Sequence, residues 1–322
     1  MIRKTKICPD CNSKNTIKKG KEDGKQSYKC KDCNSRFRNE SRKVNILDKE
    51  MWFDFVFHKQ TVRELEEKYS LSKNSIVRIL HKHTLKEKVH KTREVYLSVD
   101  ATYFGKRKLG TSWGVIVFRD NILKENLWWK VIKNESMKDY LEGKDYLESL
   151  GYVIKGVTVD GFLGLQGVFR GIPLQVCQFH IQAICRRYLT LNPLTIPGQE
   201  LLLLSKTISI ASSGVFVVLL RKFYFKHYLF LKEKTLNPLT GESWYTHEKV
   251  KSAYFSLEKY YDHLFTFERD TKIAKTNNSI ESHFSHIKDV VRIHRGLSFP
   301  LKVKLIETVL LESTIAPSHS SV

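Results

Sequence analysis

The sequence predicts a multidomain α+β chain, on three observations. The first 33 residues hold four cysteines as two C-x2-C pairs. Near Val95 a helical pattern gives way to β-branched runs that stop on Asp100 (EVYLSVD) and Asp160 (YVIKGVTVD). A long stretch of helical spacing, residues 186–275, then separates those runs from an amphipathic helix carrying Glu281 (TNNSIESHF). At 322 residues the chain has room for two or three domains and a substantial core.

Residues 1–42 form the first module. Cys8-Pro9-Asp10-Cys11 and Cys30-Lys31-Asp32-Cys33 give C-x2-C-x18-C-x2-C, in which each pair grips one edge of a tetrahedral ion. Four thiolates saturate Zn2+, so the site is structural. With few large apolar groups (Ile7, Ile17, Tyr28, Phe37), the module cannot bury enough surface to fold without metal. Residues 15–20 and 26–29 read as short strands around the polar turn Glu22-Asp23-Gly24, a zinc-ribbon pattern.

Residues 43–93 read as three helices and a linker. Trp52, Phe53, Val56 and Phe57 give the first an apolar face, and Thr61-Val62-Arg63-Glu64 is a capping box opening the second through Leu65 and Tyr69. After the turn Ser70-Leu71-Ser72, Ser72 caps a third helix with Ile76, Ile79 and Leu80 inward. Lys73, Asn74, Ser75 and Arg78 point away, placed to reach base edges or phosphates in a helix-turn-helix reading. The turn lacks the frequent glycine, and three amphipathic helices of purely structural role share the pattern. The basic setting favours DNA. Residues 82–93, rich in Lys and His, read as a linker or helix end.

Residues 94–185 begin the third domain. Strands are expected over 94–100, 113–118, 126–132, 153–159 and 174–177, with a helix capped by Ser136 between the third and fourth. A three-strand meander, a crossover helix and a parallel strand are the order of an RNase H-like α/β core, whose first and fourth strands lie side by side. That adjacency brings Asp100 to Asp160 at the strands' C-terminal edge. Glu281 joins them from a helix capped by Asn277 or Asn278 and anchored by Phe284 and Ile287, leaving Lys288, Arg292, His294 and Arg295 for phosphates.

Three carboxylates brought together repel one another unless divalent cations compensate them, and hard oxygen ligands select Mg2+ or Mn2+. Two such ions support in-line phosphoryl transfer at a phosphodiester. Taken singly, the same residues are strand-end turn formers and an exposed helix charge. Cys177 and His180 form a C-x2-H pair that is either half a zinc site or a structural pair packed near the active site; the second is favoured, since only Cys185 and distant histidines offer further ligands. Gly161, Gly164, Gly167 and Gly171 lack dinucleotide-fingerprint spacing, and no phosphate-loop lysine motif occurs.

Residues 186–275 are expected to be an all-helical insertion, with Asn237-Pro238 and Gly241 marking a break. Its aromatics, among them Trp244, Tyr245, Tyr254, Phe255, Tyr260 and Tyr261, have core spacing, with stacking on distorted bases the alternative. Residues 276–322 complete the core with helices and a frayed end.

The net charge of +21 points to a polyanionic partner, and before residue 95 basic residues outnumber acidic ones roughly two to one. No apolar stretch follows Met1-Ile2-Arg3-Lys4, and the uncharged segment 207–220 is too short to span a bilayer. A cytoplasmic chain without a membrane partner is expected.

Asp160-Gly161, Cys177-Gln178-Phe179-His180 and Thr276-Asn277-Asn278-Ser279-Ile280-Glu281, with Lys288 downstream, resemble bacterial DDE transposases of the Mutator-like insertion-sequence superfamily. The four-cysteine ribbon is similar to that superfamily's zinc-binding variant. The resemblance implies an RNase H-like core with Asp100, Asp160 and Glu281 as metal ligands, of which Asp100 is marked only by its strand, although Asp120 fits less well. It also implies terminal inverted repeats and target DNA as partners, a homodimer or higher oligomer on DNA, and a location at the bacterial nucleoid. The rival is a catalytically silent zinc-ribbon/helix-turn-helix DNA-binding regulator derived from a transposase; a third reading is a nuclease without strand transfer.

Overall fold

The computed structural model describes residues 6–22, 25–38, 42–161 and 164–312, so the expected turn at Asp23-Gly24 and the frayed end lie outside the described residues. The chain divides into two compact units, Met1–Thr84 and Leu85–Val322.

In the first unit, β1 (Thr16–Glu22), β2 (Lys25–Cys30) and β3 (Arg36–Arg38) form an antiparallel sheet in that order. Tyr28 stacks on Phe37 with ring centroids 5.7 Å apart. Three helices follow, α1 (Arg42–Val56), α2 (Val62–Tyr69) and α3 (Lys73–Lys82). The Thr61/Glu64 capping box opens α2, and the Ser72 side chain accepts from the Ser75 N–H to open α3. Met51, Trp52, Phe55 and Val56 of α1 meet Leu65, Ile76 and Leu80 in the core. Phe53 departs from expectation at 51% exposure, because the buried stripe runs through positions 51, 52, 55 and 56 and position 53 lies off it. Asp54 is buried, yet it accepts from Lys68 (2.5 Å), Tyr69 (2.6 Å) and His58 (2.7 Å). Burial pushes its carboxyl up, but those hydrogen bonds outweigh burial and bring it down to about 2.

The second unit is built on a five-stranded sheet. Its elements begin β4 (Glu94–Phe104), β5 (Trp113–Asp120), β6 (Glu125–Ile132), α4 (Met137–Ser149), β7 (Val153–Val159), α5 (Leu165–Val168) and β8 (Leu174–Val176). The strand order is β6-β5-β4-β7-β8, with an antiparallel meander through β6 and parallel pairing of β4 with β7 and β7 with β8. β4 and β7 are neighbours, as the order of elements predicts. β4 does not stop at Asp100 as expected but runs four residues further, because its antiparallel partner β5 continues alongside it until Phe104 faces Trp113.

After β8 come α6 (Gln178–Leu189), α7 (Ile196–Thr207), α8 (Ser213–Lys226), α9 (Tyr228–Lys232), β9 (Lys234–Leu236), β10 (Ser243–Tyr245), α10 (Glu248–Leu264), α11 (Asn278–Ile293) and α12 (Phe299–Glu312). The insertion is therefore not all-helical. β9 and β10 pair antiparallel around a turn in which Asn237 Oδ1 accepts the Leu239 and Thr240 N–H groups and Gly241 takes φ +73°. No helix among the described residues is long and apolar enough to cross a membrane; segment 207–220 is interrupted between α7 and α8.

One hydrophobic cluster joins the sheet to the insertion, from Leu97, Val99, Phe118 and Tyr140 through Ile181 and Cys185 to Leu257 and Tyr260. Each large side chain buried in it stabilises the unit by about 1.5–3 kcal/mol. Tyr254 and Tyr260 belong to this core, whereas Trp244 is exposed. On α4, Gly143 marks the closest approach to the sheet: an added Cβ would lie 2.6 Å from the Trp128 ring and 2.9 Å from Phe118.

Candidate active site

Two candidate metal sites follow from these elements, one in each unit. In the first, the sulfurs of Cys8, Cys11, Cys30 and Cys33 all lie within 4.8 Å of one another, with Cys8–Cys33 at 3.6 Å and Cys11–Cys30 at 3.5 Å. A tetrahedral ion with Zn–S bonds of about 2.3 Å sets its sulfurs about 3.8 Å apart, so these residues fit Zn2+. N–H groups of Cys33 and Asp32 directed at the Cys30 sulfur lower that thiol to about 7.

The second site lies where the parallel pairing of the large sheet ends. Val99 opposite Val159 is the last matched pair of β4 and β7, so Asp100 and Asp160 are the next residues on adjacent strands. Asp100 is 7% exposed, and its Oδ1 accepts the Ala101 N–H at 2.8 Å. Burial raises its carboxyl well above the ordinary range, and the Asp160, Glu281 and Glu135 charges raise it further. Asp160 is half-buried, beside a cavity of about 40 Å3 also lined by Leu165, Lys259 and Tyr260. The Tyr260 hydroxyl donates to the Gly161 carbonyl at 2.7 Å, so α10 of the insertion pins the turn after Asp160.

Glu281 stands in the first turn of α11, whose entry is held by bonds to three other elements. Thr158 Oγ1 donates to the Ala274 carbonyl (2.7 Å), and the Gln178 N–H donates to the Lys275 carbonyl (3.1 Å). The Asn277 N–H donates to Cys177 Sγ (3.3 Å), and Asn277 Nδ2 donates to the Val99 carbonyl (3.3 Å). Of the two expected caps, Asn277 and Asn278, the first is the one in place. It occupies the N-cap position without making the cap bond and instead ties the helix to the strand residue before Asp100. Phe284 and Ile287 are buried as anchors.

Cys177 and His180 are brought to Glu281. Cys177 is fully buried at the N-cap of α6, and burial lifts its thiol to about 11 although N–H groups of Asn277, His180 and Phe179 oppose the rise. His180 Nε2 lies 3.4 Å from Glu281 Oε1, and the Cys177, His180 and Glu281 donor atoms all lie within 4.8 Å of one another. Among the described residues, the donor group that includes Glu281 is thus formed with this pair rather than with the two aspartates. Cys185 stands apart, buried on α6 against the Ala253 carbonyl. Glu281 Oε1 is buried without a hydrogen-bond partner, and the acids around it are hard oxygen donors, so the group suits a divalent cation.

Glu135 is the residue that sequence reasoning missed. It lies between the end of β6 and the cap of α4, and burial followed by the Asp160 charge raises its carboxyl. The one available signal was an acid just beyond the third meander strand.

Among the expected contact residues, Lys73, Asn74 and Arg78 are exposed on α3, and Ser75 is half-buried with its hydroxyl 3.1 Å from that of Ser72. Lys288 is exposed on α11, Arg292 is exposed and paired with Asp289 at 3.1 Å, and Arg295 is exposed with Nε on the Arg292 carbonyl. His294 is 5% exposed and therefore not open to phosphates, because it continues at helical spacing the buried stripe of Phe284, Ile287 and Val290.

No protein-family model matches the chain, and no curated protein matches it. Among solved structures it is similar to the Drosophila P element transposase strand transfer complex, at 11% identity over 90% of this chain and 95% of that one, with a TM-score of 0.36. It is also similar to the simian T-cell lymphotropic virus intasome in complex with PP2A regulatory subunit B56 gamma, at 11% identity over 58% of each chain, with a TM-score of 0.22. Likenesses this loose assign no residue a role.

Proposed function

We propose that this chain is a metal-dependent DNA transposase, which binds the terminal inverted repeats of an insertion sequence and cuts and joins DNA strands at Asp100, Asp160 and Glu281. The observation that carries the reading is the end of the β4/β7 pairing: Asp100 and Asp160 follow the last matched residues, and Asn277 ties the helix of Glu281 to Val99 at the same point. Strand ends of a mixed sheet of this order, the RNase H-like arrangement, are where such chemistry is built. The charge of +21 and the four-thiol ribbon support a nucleic-acid substrate.

Divalent cations, when bound, supply an activated water or 3′-hydroxyl and neutralise the charge that builds on the leaving 3′-oxygen. The chain's own residues prepare that chemistry. The Ala101 N–H fixes one oxygen of Asp100, which leaves the other as a directed donor in a setting that disfavours an uncompensated charge. His180 acts as a positioning residue, restraining Glu281 from outside the acid cluster, while Cys177 fixes the start of the helix that carries His180. Lys288, two turns along α11 from Glu281, and Arg295 are exposed for phosphates, and Lys73, Asn74, Ser75 and Arg78 of α3 are assigned to the repeat sequence.

The test incubates the full chain with labelled duplex DNA carrying the inverted repeats that flank its gene, in Mg2+ or Mn2+. Nicking at the repeat ends and joined products are expected, and Asp160→Asn should reduce both by at least about a thousandfold. Tight binding with no metal-dependent cleavage would instead mark a silent DNA-binding regulator.

A further inference from the structure

A fourth acid stands at the same sheet edge. β6 runs parallel to β4, and its last residue, Ile132, pairs with Gly114, which in turn pairs with Tyr103 three residues beyond Asp100. The chain therefore leaves β6 at the C-terminal edge where β7 releases Asp160, and Glu135 occupies that exit.

Its carboxylate is held in place. The Tyr103 hydroxyl donates to Oε2 at 3.2 Å, and the Tyr140 hydroxyl donates to Oε1. Tyr140 is fully buried on α4, and the close packing of Gly143 one turn later fixes that helix against the sheet. Two donors orient Glu135 without neutralising it, and no Lys or Arg ion pair among the described residues reaches it.

We propose that Glu135 is a fourth carboxylate of the cation site, completing the donor set on the Asp160 side as Glu281 does on the other. The inference rests on the reading of Asp100, Asp160 and Glu281 given above. Two observations indicate that the cluster takes a cation: Asp100 is almost wholly buried with no cationic side chain paired to it among the described residues, and Glu281 Oε1 is buried and makes no hydrogen bond, with His180 Nε2 held off at 3.4 Å. Charge arithmetic supports the number four. In the DNA-free site, three carboxylates leave two divalent cations with an excess positive charge, whereas four balance them. The tyrosine pair serves as the outer layer that holds a ligating carboxylate in orientation.

The experiment measures Mn2+ binding to the zinc-loaded full chain by calorimetry and electron paramagnetic resonance, for the wild type, Glu135→Gln and Asp160→Asn. Glutamine keeps an acceptor for the tyrosines, and Glu135→Asp provides a second variant that keeps the charge; thermal denaturation checks that each folds. The expected result is about a tenfold or greater loss of Mn2+ affinity in Glu135→Gln at an unchanged melting temperature, with partial recovery in Glu135→Asp. Wild-type affinity and stoichiometry in Glu135→Gln, with binding lost in Asp160→Asn, would overturn the role of Glu135 and leave the triad standing. Unchanged binding in Asp160→Asn would remove the triad and this inference together.

Discussion

The cysteine site and the carboxylate site relate in opposite ways to the folds that hold them. Around the four cysteines there is almost no core: Tyr28 is the only large apolar side chain buried in the described ribbon, and the sheet has just three short strands. On the proposed reading, Zn2+ supplies what burial does not. Around Asp100 and Asp160 the relation is reversed, since a cluster running from Val95 to Phe265 builds the site first and then tolerates a buried acid that opposes folding. A metal that makes a fold can be bound by any residues that saturate it. A metal that does chemistry needs a scaffold stable enough to carry unfavourable groups.

The largest expected effect follows from that contrast. Stripping zinc should cost the ribbon an apparent 10–16 kcal/mol, roughly the binding energy of a structural site, and so unfold it. Hydrogen exchange on the full chain should show protection lost in β1–β3 and kept in β4, β5 and β7. Surviving protection in the ribbon would mean that the metal is not what holds it, and the contrast would collapse.

Asn277→Ala comes next and probes the other side. It leaves the buried Val99 carbonyl without its side-chain donor, for a loss of about 1–3 kcal/mol in the second unit. Thermal denaturation should show a lower melting temperature together with weaker Mn2+ binding. Unchanged values for both would show that the entry of α11 is held by the bonds of Ala274, Lys275 and the Asn277 N–H without the Asn277 side chain.

How these parts could be read in advance depends on how local their causes are. The cysteine spacing, the capping box at Thr61 and the adjacency of β4 and β7 follow from short patterns or from element order. The continuation of β4 past Asp100 does not, since the length of β5 decides it. Asn277 resembles a cap because its neighbours in sequence suggest one, and its partner Val99 is visible only in three dimensions. Glu135 carries only a weak local signal, an acid just beyond the third meander strand. β9 and β10 are three residues each, too short for alternation to declare a strand. The pairing of His180 with Glu281 joins two motifs that lie far apart in sequence.

Asp54 offers a smaller effect and a check within the first unit, where a buried acid is compensated rather than strained. Its folded value of about 2 lies below the unfolded carboxylate near 3.9, so its contribution is present above the unfolded value and is lost as pH falls through the folded one. About 2 kcal/mol is at stake. Urea denaturation between pH 5 and pH 2 should show this slope, and Asp54→Asn should flatten it. A slope that persists in the variant would assign it to other acids.

The smallest effect has the opposite sign. In the folded chain the Asp100 carboxyl lies above its unfolded value because of burial and the Asp160 charge, so the fold binds its proton more tightly than the unfolded chain does. Stability from this group is therefore fully present below the unfolded value and lost as pH rises through the folded one. Asparagine has the same shape and no charge to bury. With zinc kept in the ribbon and no Mg2+ or Mn2+ added, Asp100→Asn should stabilise the second unit at pH 7 by about 0.5–2 kcal/mol, and the gain should shrink as pH falls. Divalent cations should narrow the gap by stabilising the wild type, because they compensate the charge that the variant lacks. A variant less stable than the wild type at neutral pH would show that Asp100 contributes to the fold as Asp54 does, and the difference between a site that builds its fold and one that strains it would then rest on the cysteines alone.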